Sequence, residues 1–264
     1  MDIGINGDDD YAALAQSFNA VKQLEEICDS LPPVMTDLAV EGSELAWALE
    51  NVPEPLVDLR YTFYSALATA RGNLWQICEL FDKNQKTTPS VLQTLLRAAL
   101  LSAARVAYPV LAADREQLVY RLTVVMAQEG KSLKRLYRDA SNNVELLSLI
   151  PPRDIVDKQE LRFSKLGLTN RDILSDSAML EQVAMSIARL QGQYDDLNEE
   201  ALKEQYSWIF HCLSGVSHGF GWTKLVPGTE SMSGHFVADF FSVASLAWIA
   251  GHQLMVCAGR SNGR

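Results

Sequence analysis

The chain is short of the residues that build metal centres and cross-links. It has four cysteines and four histidines in 264 residues. Cys28, Cys78, Cys212 and Cys257 are widely scattered and form no CxxC pair, so neither a zinc knuckle nor a disulfide framework is expected. They read as reduced, buried thiols that pack as small hydrophobes. The one GxSxG match, GVSHG at 215–219, lies at the end of a helical pattern and not on a strand-to-helix turn, so no α/β-hydrolase nucleophile elbow is expected. HExxH and any ExxH pair are missing, so no metal and no cofactor is expected. Sustained period-two alternation is scarce and there is no Asn-Gly hairpin, which leaves no signal for strands. The opening residues, MDIGINGDDDYAA, lack an apolar run; no signal peptide is expected there, and a cytoplasmic location follows as the default.

Basic residues are few where acidic ones are many. Residues 1–60 carry 13 acidic and 2 basic side chains, whereas residues 83–171 carry 15 basic and 8 acidic. The net charge of −10 opposes long-range, nonspecific attraction to nucleic acid. The basic middle leaves room for a local anion site or for the acidic N-terminal part to lie over it.

What the chain does have is apolar residues at helical spacing. Hydrophobic content is 48%, enough for a sizeable core. Leu14, Phe18, Val21, Leu24 and Ile27 predict a helix over 11–29. Paired prolines at 32–33 break it. A short helix is expected over 43–51, another from the PEP at 53–55 to about Phe81, and a third capped by Thr88 with Pro89 at its first position. Pro109 should end that third helix near Ala112. Asp114 is expected to cap a helix reaching Asp139. Short helical stretches near 153–165 and 175–190 precede a helix capped by Asp196 or Asn198, which carries the CLSGVSHGFGW stretch. The run from Phe236 to Cys257 is long enough to span a bilayer, but Asp239, His252 and Gln253 interrupt it, so a buried central helix is expected and no membrane. The fold class expected is all-α: a helical bundle over 53–258, an N-terminal helical extension over 11–52, a disordered acidic segment over 1–10 and a flexible tail over 259–264.

Three constellations bear on chemistry. His211, Ser214 and His218 share one helix face, with Ser214 and His218 one turn apart, as a serine–histidine contact needs. The second is arginine within aliphatic runs. Arg97, Arg105 and Arg121 are costly there unless paired or reaching solvent. The eight-residue spacing of Arg97 and Arg105 suggests a shared face able to hold a phosphate or carboxylate. Arg105 reads as a snorkelling side chain; buried pairing is open for Arg97 and Arg121, with Glu79, Glu129 or Asp239 as partners. The third is KSLKRLYR, where Lys131, Lys134, Arg135 and Arg138 form a basic stripe, either a solvated face or a surface for RNA or an acidic partner.

The stretches TPSVLQTLLRAALLSAARVAYPVL, DREQLVYRL and YSWIFHCLSGVSHGFGW resemble a group of uncharacterised helical bacterial proteins. The resemblance covers roughly residues 60–225 and rests on Thr88, Pro89, Arg97, Tyr206, Leu213, Ser214, Gly215, His218, Gly219 and Trp222. The late element is also similar to HEPN-like helical bundles, whose catalytic members cleave RNA with an R-x(4–6)-H motif in a dimer cleft. Here Leu213, Cys212 and His211 stand where that arginine would be. The resemblance implies an interaction or small-ligand-binding protein, in bacterial defence or stress response, with a homodimer or protein partner and with RNA less favoured. In that reading His211, Trp222 and the basic stripe belong to binding. The alternative it implies is an unusual ribonuclease using His218 and Ser214 with Arg97 or Arg121 from another helix.

Overall fold

A computed structural model describes residues 8–54, 57–83, 87–140, 173–191, 198–219 and 234–260, and a few positions between 145 and 158. The protein is an all-α helical bundle; the described residues contain no strand. Its helices are α1 (Asp8–Ser30), α2 (Glu44–Asn51), α3 (Leu59–Asp82), α4 (Pro89–Val110), α5 (Arg115–Ala140), α6 (Asp176–Gln191), α7 (Glu199–Ser217) and α8 (Gly234–Cys257), with a one-turn 3₁₀ helix at Met35–Asp37 between α1 and α2.

The N-cap chemistry is largely local. Ser43, Asp58 and Asn198 each turn a side-chain oxygen onto a free N–H of the first turn, where four donors lack intrahelical partners. Thr88 precedes Pro89 as expected, but its hydroxyl meets Ser90 instead of capping the helix. The first turn of α1 begins at Asp8, three residues before the expected start, within an acidic run that suits the positive end of the helix dipole.

α4 is the central helix. It packs against α3 and α8 most extensively and also meets α5, α6 and α7. Its sequence explains this: Leu92, Leu96, Ala99, Leu100, Ala103, Ala104, Val106 and Ala107 are all buried, and the alanines let neighbouring helices approach closely. α4 and α8 are each long and apolar enough, by length and composition, to cross a membrane. In the fold both contribute heavily to the core, which runs through the whole bundle.

The expected N-terminal extension belongs to that same core. α1 packs along α8 and touches α3, with Val21 and Leu24 fully buried beside Leu38 and Leu45. Gly251 of α8 is what lets α1 come so close: a Cβ there would meet Ile27 at 3.2 Å and Leu24 at 3.3 Å. Phe18 of α1, Phe81 of α3, and Phe236 and Phe240 of α8 form an aromatic cluster with ring centroids 6.1–6.5 Å apart. The boundary expected at residue 52 is thus a loop between helices that share one core.

The first two residues of the expected tail, Gly259 and Arg260, are described and meet the rest of the fold. Gly259 adopts φ +70°, and the Arg260 guanidinium donates to the carbonyls of Leu38 (2.7 Å) and Asp37. Val40 N–H donates to Ala258 O at 2.9 Å. Residues 258–260 therefore fasten the loop before α2; residues 261–264 lie outside the described residues.

Candidate functional site

The stretch Cys212–Gly219 is the end of α7. His218 is its C-cap, and its backbone N–H donates to the carbonyls of Ser214 and Val216. Gly219 follows at φ +68°, the left-handed conformation that closes many helices and that glycine adopts without steric cost. Ser217 donates back to Leu213 O at 2.7 Å. Much of this composition is accounted for by the geometry of stopping a helix. His218 and His211 are both exposed, Ser214 is half-buried, and the His211 ring lies edge-on to Phe210 at 5.3 Å. Trp222 lies outside the described residues. His235 and His252 are exposed too, and no cluster of three or more potential metal ligands occurs among the described residues.

The arginines of the aliphatic runs go to three different places. Arg97 lies against α7, its guanidinium carbon 6.0 Å from the centre of the Phe210 ring. Its Nε is buried without a hydrogen-bond acceptor, as is the Oε1 of Gln93 one turn earlier without a donor. Phe210 precedes His218 by eight residues, about 12 Å of helix rise. Arg105 faces α3 and α5 instead. The expected shared face fails because eight residues at about 100° each overshoot two full turns by about 80°.

Arg121 is deeply buried. Its guanidinium donates to Tyr108 O at 2.7 Å and to Ser186 Oγ at 3.1 Å, over the Tyr108 ring at 5.0 Å. None of Glu79, Glu129 and Asp239 is its partner. The reason lies in the end of α4, whose last carbonyls have no intrahelical donor. Ala107 O receives Leu111 N–H, Pro109 O receives the N–H groups of Leu111 and Ala112, and Val110 O receives the Cys257 thiol at 3.5 Å. Tyr108 O is left, and Arg121 satisfies it, at the end of the helix where the dipole favours a cation. Tyr108 and Arg97 are eleven residues apart on α4, about 16 Å. Arg121 and the end of α7 thus belong to different regions of the bundle.

The basic stripe occupies the second half of α5. Lys134, Arg135 and Arg138 are exposed and Lys131 is half-buried. Asp154 and Asp157 lie near enough to Tyr137 to raise its pKa, after burial. The acidic N-terminal part meets α5 elsewhere. Glu44 of α2 pairs with both ends of the Arg115 guanidinium, at 2.6 and 2.9 Å, and Arg115 lies 5.5 Å from the centre of the Trp47 ring.

A concavity that unites polar groups holds Arg105 without Arg97, and brings in Glu129 from α5. α3 and α5 flank α4 without meeting closely. The gap is a cavity of about 670 Å³, within the range of small-ligand sites. Leu101 and Ala104 of α4, Ala66 of α3, Leu133 of α5 and Met179 of α6 form its apolar wall. Arg105, Glu129, Tyr61, Thr62, Ser65, Thr69 and Ser102 also line it, with Asp176 at the exposed start of α6. Thr62 donates to Glu129 Oε1 at 3.2 Å. Burial pushes the Glu129 carboxyl above the usual carboxylate range, against the opposing pull of Arg105 and the Thr62 hydroxyl. Arg105 and Glu129 influence each other electrostatically but close no ion pair. Sequence alone points to Glu129 only as a partner for Arg97 or Arg121. The available signal was its position directly after the buried run Leu122–Gln128, on a helix adjoining that of Arg105.

Asp239 and Glu79 find other surroundings. Glu79 pairs with Lys83 on its own helix end. Asp239, near the start of α8, is pushed up to about 7 by burial and lies near the Cys212 thiol of α7.

Together the fold and this cavity define a class: an all-α bundle with a polar pair set into an apolar cleft. Comparison with protein-family models, curated proteins and solved structures gives no match.

Proposed function

We propose that this is a helical small-ligand-binding protein whose site is the cavity between α3, α4 and α5. The observation that carries the reading is the placing of Arg105, and of Glu129 held by the Thr62 hydroxyl, in one largely apolar cavity without an ion pair between them. Polar groups in such a place lose hydration, and a site that recognises a ligand by a few oriented polar contacts keeps them despite that cost. A cytoplasmic setting and a second copy or protein partner complete the proposal. The central place of α4, ringed by five other helices, supports a water-soluble bundle. The HEPN-like resemblance at the end of α7 is retained as a proposal for a member that binds and does not cleave. Two placements support that choice: His218 is an exposed helix cap, and Arg121 is committed to the end of α4.

The test is a thermal-shift screen of small polar and amphipathic compounds against the full chain, repeated on Ser102→Trp and Ser65→Trp, which fill the cavity from α4 and α3. Compounds that raise the melting temperature of the wild type, and not that of either filled variant, support the site. A screen without stabilising compounds, or one whose compounds act equally on folded variants, overturns it.

A further inference from the structure

We infer that the cavity takes a small zwitterion with an apolar tail, in chemical class an apolar α-amino acid, its carboxylate on Arg105 and its ammonium on Glu129. The inference rests on the cavity being a ligand site, and it goes further by assigning the ligand's charges.

Arg105 and Glu129 line one cavity from adjoining helices and feel each other's field, yet no ion pair joins them. Each charge therefore retains capacity for a counter-ion. A guanidinium offers a planar fork matched to a carboxylate. Glu129 already has one oxygen on the Thr62 hydroxyl, which fixes its orientation and leaves the other oxygen for an incoming donor.

Single charges fit less well. A lone carboxylate seated on Arg105 would bring a second carboxyl towards Glu129. A lone ammonium seated on Glu129 would bring a second cation towards Arg105. Either approach is repulsive, and more so in a partly dehydrated cleft than in water. A ligand carrying both charges meets each with its opposite and leaves no like pair, which gives specificity as well as attraction. The hydroxyls of Ser102 and Ser65 supply further polar contacts along the same walls. Leu101, Leu133, Met179 and Ile155 then define what the rest of the ligand must be. They offer only apolar surface, so a hydrocarbon side chain is favoured over a polar one.

The experiment is calorimetric titration of the full chain with three probes of matched tail: L-leucine, 4-methylpentanoate, which lacks the ammonium, and 3-methylbutylamine, which lacks the carboxylate. Leucine is expected to bind, with each analogue at least tenfold weaker. Arg105→Met and Glu129→Gln, checked for wild-type urea midpoints, are each expected to weaken leucine at least tenfold. An acid or amine that binds as tightly as leucine overturns the zwitterion, as does leucine binding unchanged in both variants or no binding of any probe. The compound screen separates this failure from the broader one. If it finds cavity ligands that are not zwitterions, only the charge assignment falls; if it finds none, both readings fall.

Discussion

Replacing Arg121 with methionine tests the assignment of that residue to the end of α4. Methionine keeps much of the apolar stem and removes the guanidinium. Two hydrogen bonds are lost, to Tyr108 O at 2.7 Å and to Ser186 Oγ at 3.1 Å. They are not equivalent. Ser186 still donates to Gln182 O at 2.9 Å, so its hydroxyl keeps a partner. The Tyr108 carbonyl loses its donor in a buried place, which costs about 1–3 kcal/mol. Contact with the Tyr108 ring, worth about 1–2 kcal/mol when desolvated, is lost too. Against these stands relief from burying a cation with no carboxylate partner, the reason apolar replacements of buried charges are often tolerated. The net expectation is a loss of about 2 kcal/mol, or about 4–8 °C in melting temperature for a chain of this size. Urea denaturation should show a lower midpoint with an unchanged slope. Arg121→Lys, which keeps the charge but not the fork, should fall between wild type and Arg121→Met. A methionine variant as stable as wild type would refute the argument, because Tyr108 O would then need no donor.

Four other outcomes are expected. Phe240→Ala removes the ring shared by α1, α3 and α8 and should cost about 3–5 kcal/mol, read from the same urea curves. Asp239 has its folded pKa raised to about 7, so the unfolded chain releases that proton first as pH rises. Its contribution to stability is greatest below the unfolded value and is lost as pH climbs to about 7. Asp239→Asn should therefore stabilise the protein at pH 8, with little change at pH 4; an unaltered slope of stability against pH between these values would contradict the burial. Gly219→Ala forces a Cβ into a left-handed backbone and should destabilise by about 1 kcal/mol; an unchanged melting temperature would mean that the α7 cap does not need this conformation. Burial pushes all four thiols up, to between about 11 and about 12. Iodoacetamide at pH 8 should accordingly label the native protein slowly and the denatured protein at four sites, counted by mass spectrometry.

Helix content and most helix ends were legible because they depend on neighbours in sequence. The three-to-four spacing of Val21 and Leu24, the serine at 43, the asparagine at 198 and the proline at 109 act within one or two turns of themselves. The start of α3 shows the limit of that reasoning: PEP at 53–55 suggested the beginning, but Asp58 is the residue whose carboxylate caps Arg60 N–H. The candidate site was far less legible. The CLSGVSHGFGW stretch stood out for serine, histidine and glycine packed together, yet its described part behaves largely as a helix end. Arg105 looked like an ordinary surface-reaching side chain because its consequence depends on a gap between α3 and α5, and no local pattern reports a gap.

What the sequence alone determined is the set of amphipathic and apolar helices, since period and capping are properties of short stretches. Tertiary structure decided which arginine meets which partner. Arg97, Arg105 and Arg121 are alike in sequence, each a cation within an aliphatic run. One lies on Phe210, one faces a cavity with Glu129, and one closes the end of α4. An offset of about 80° along α4 separates the first two, and the packing of α5 and α6 at the end of α4 assigns the third. The carbonyl of Tyr108 lacks a donor within its own helix, so only a residue brought from elsewhere in the chain can satisfy it.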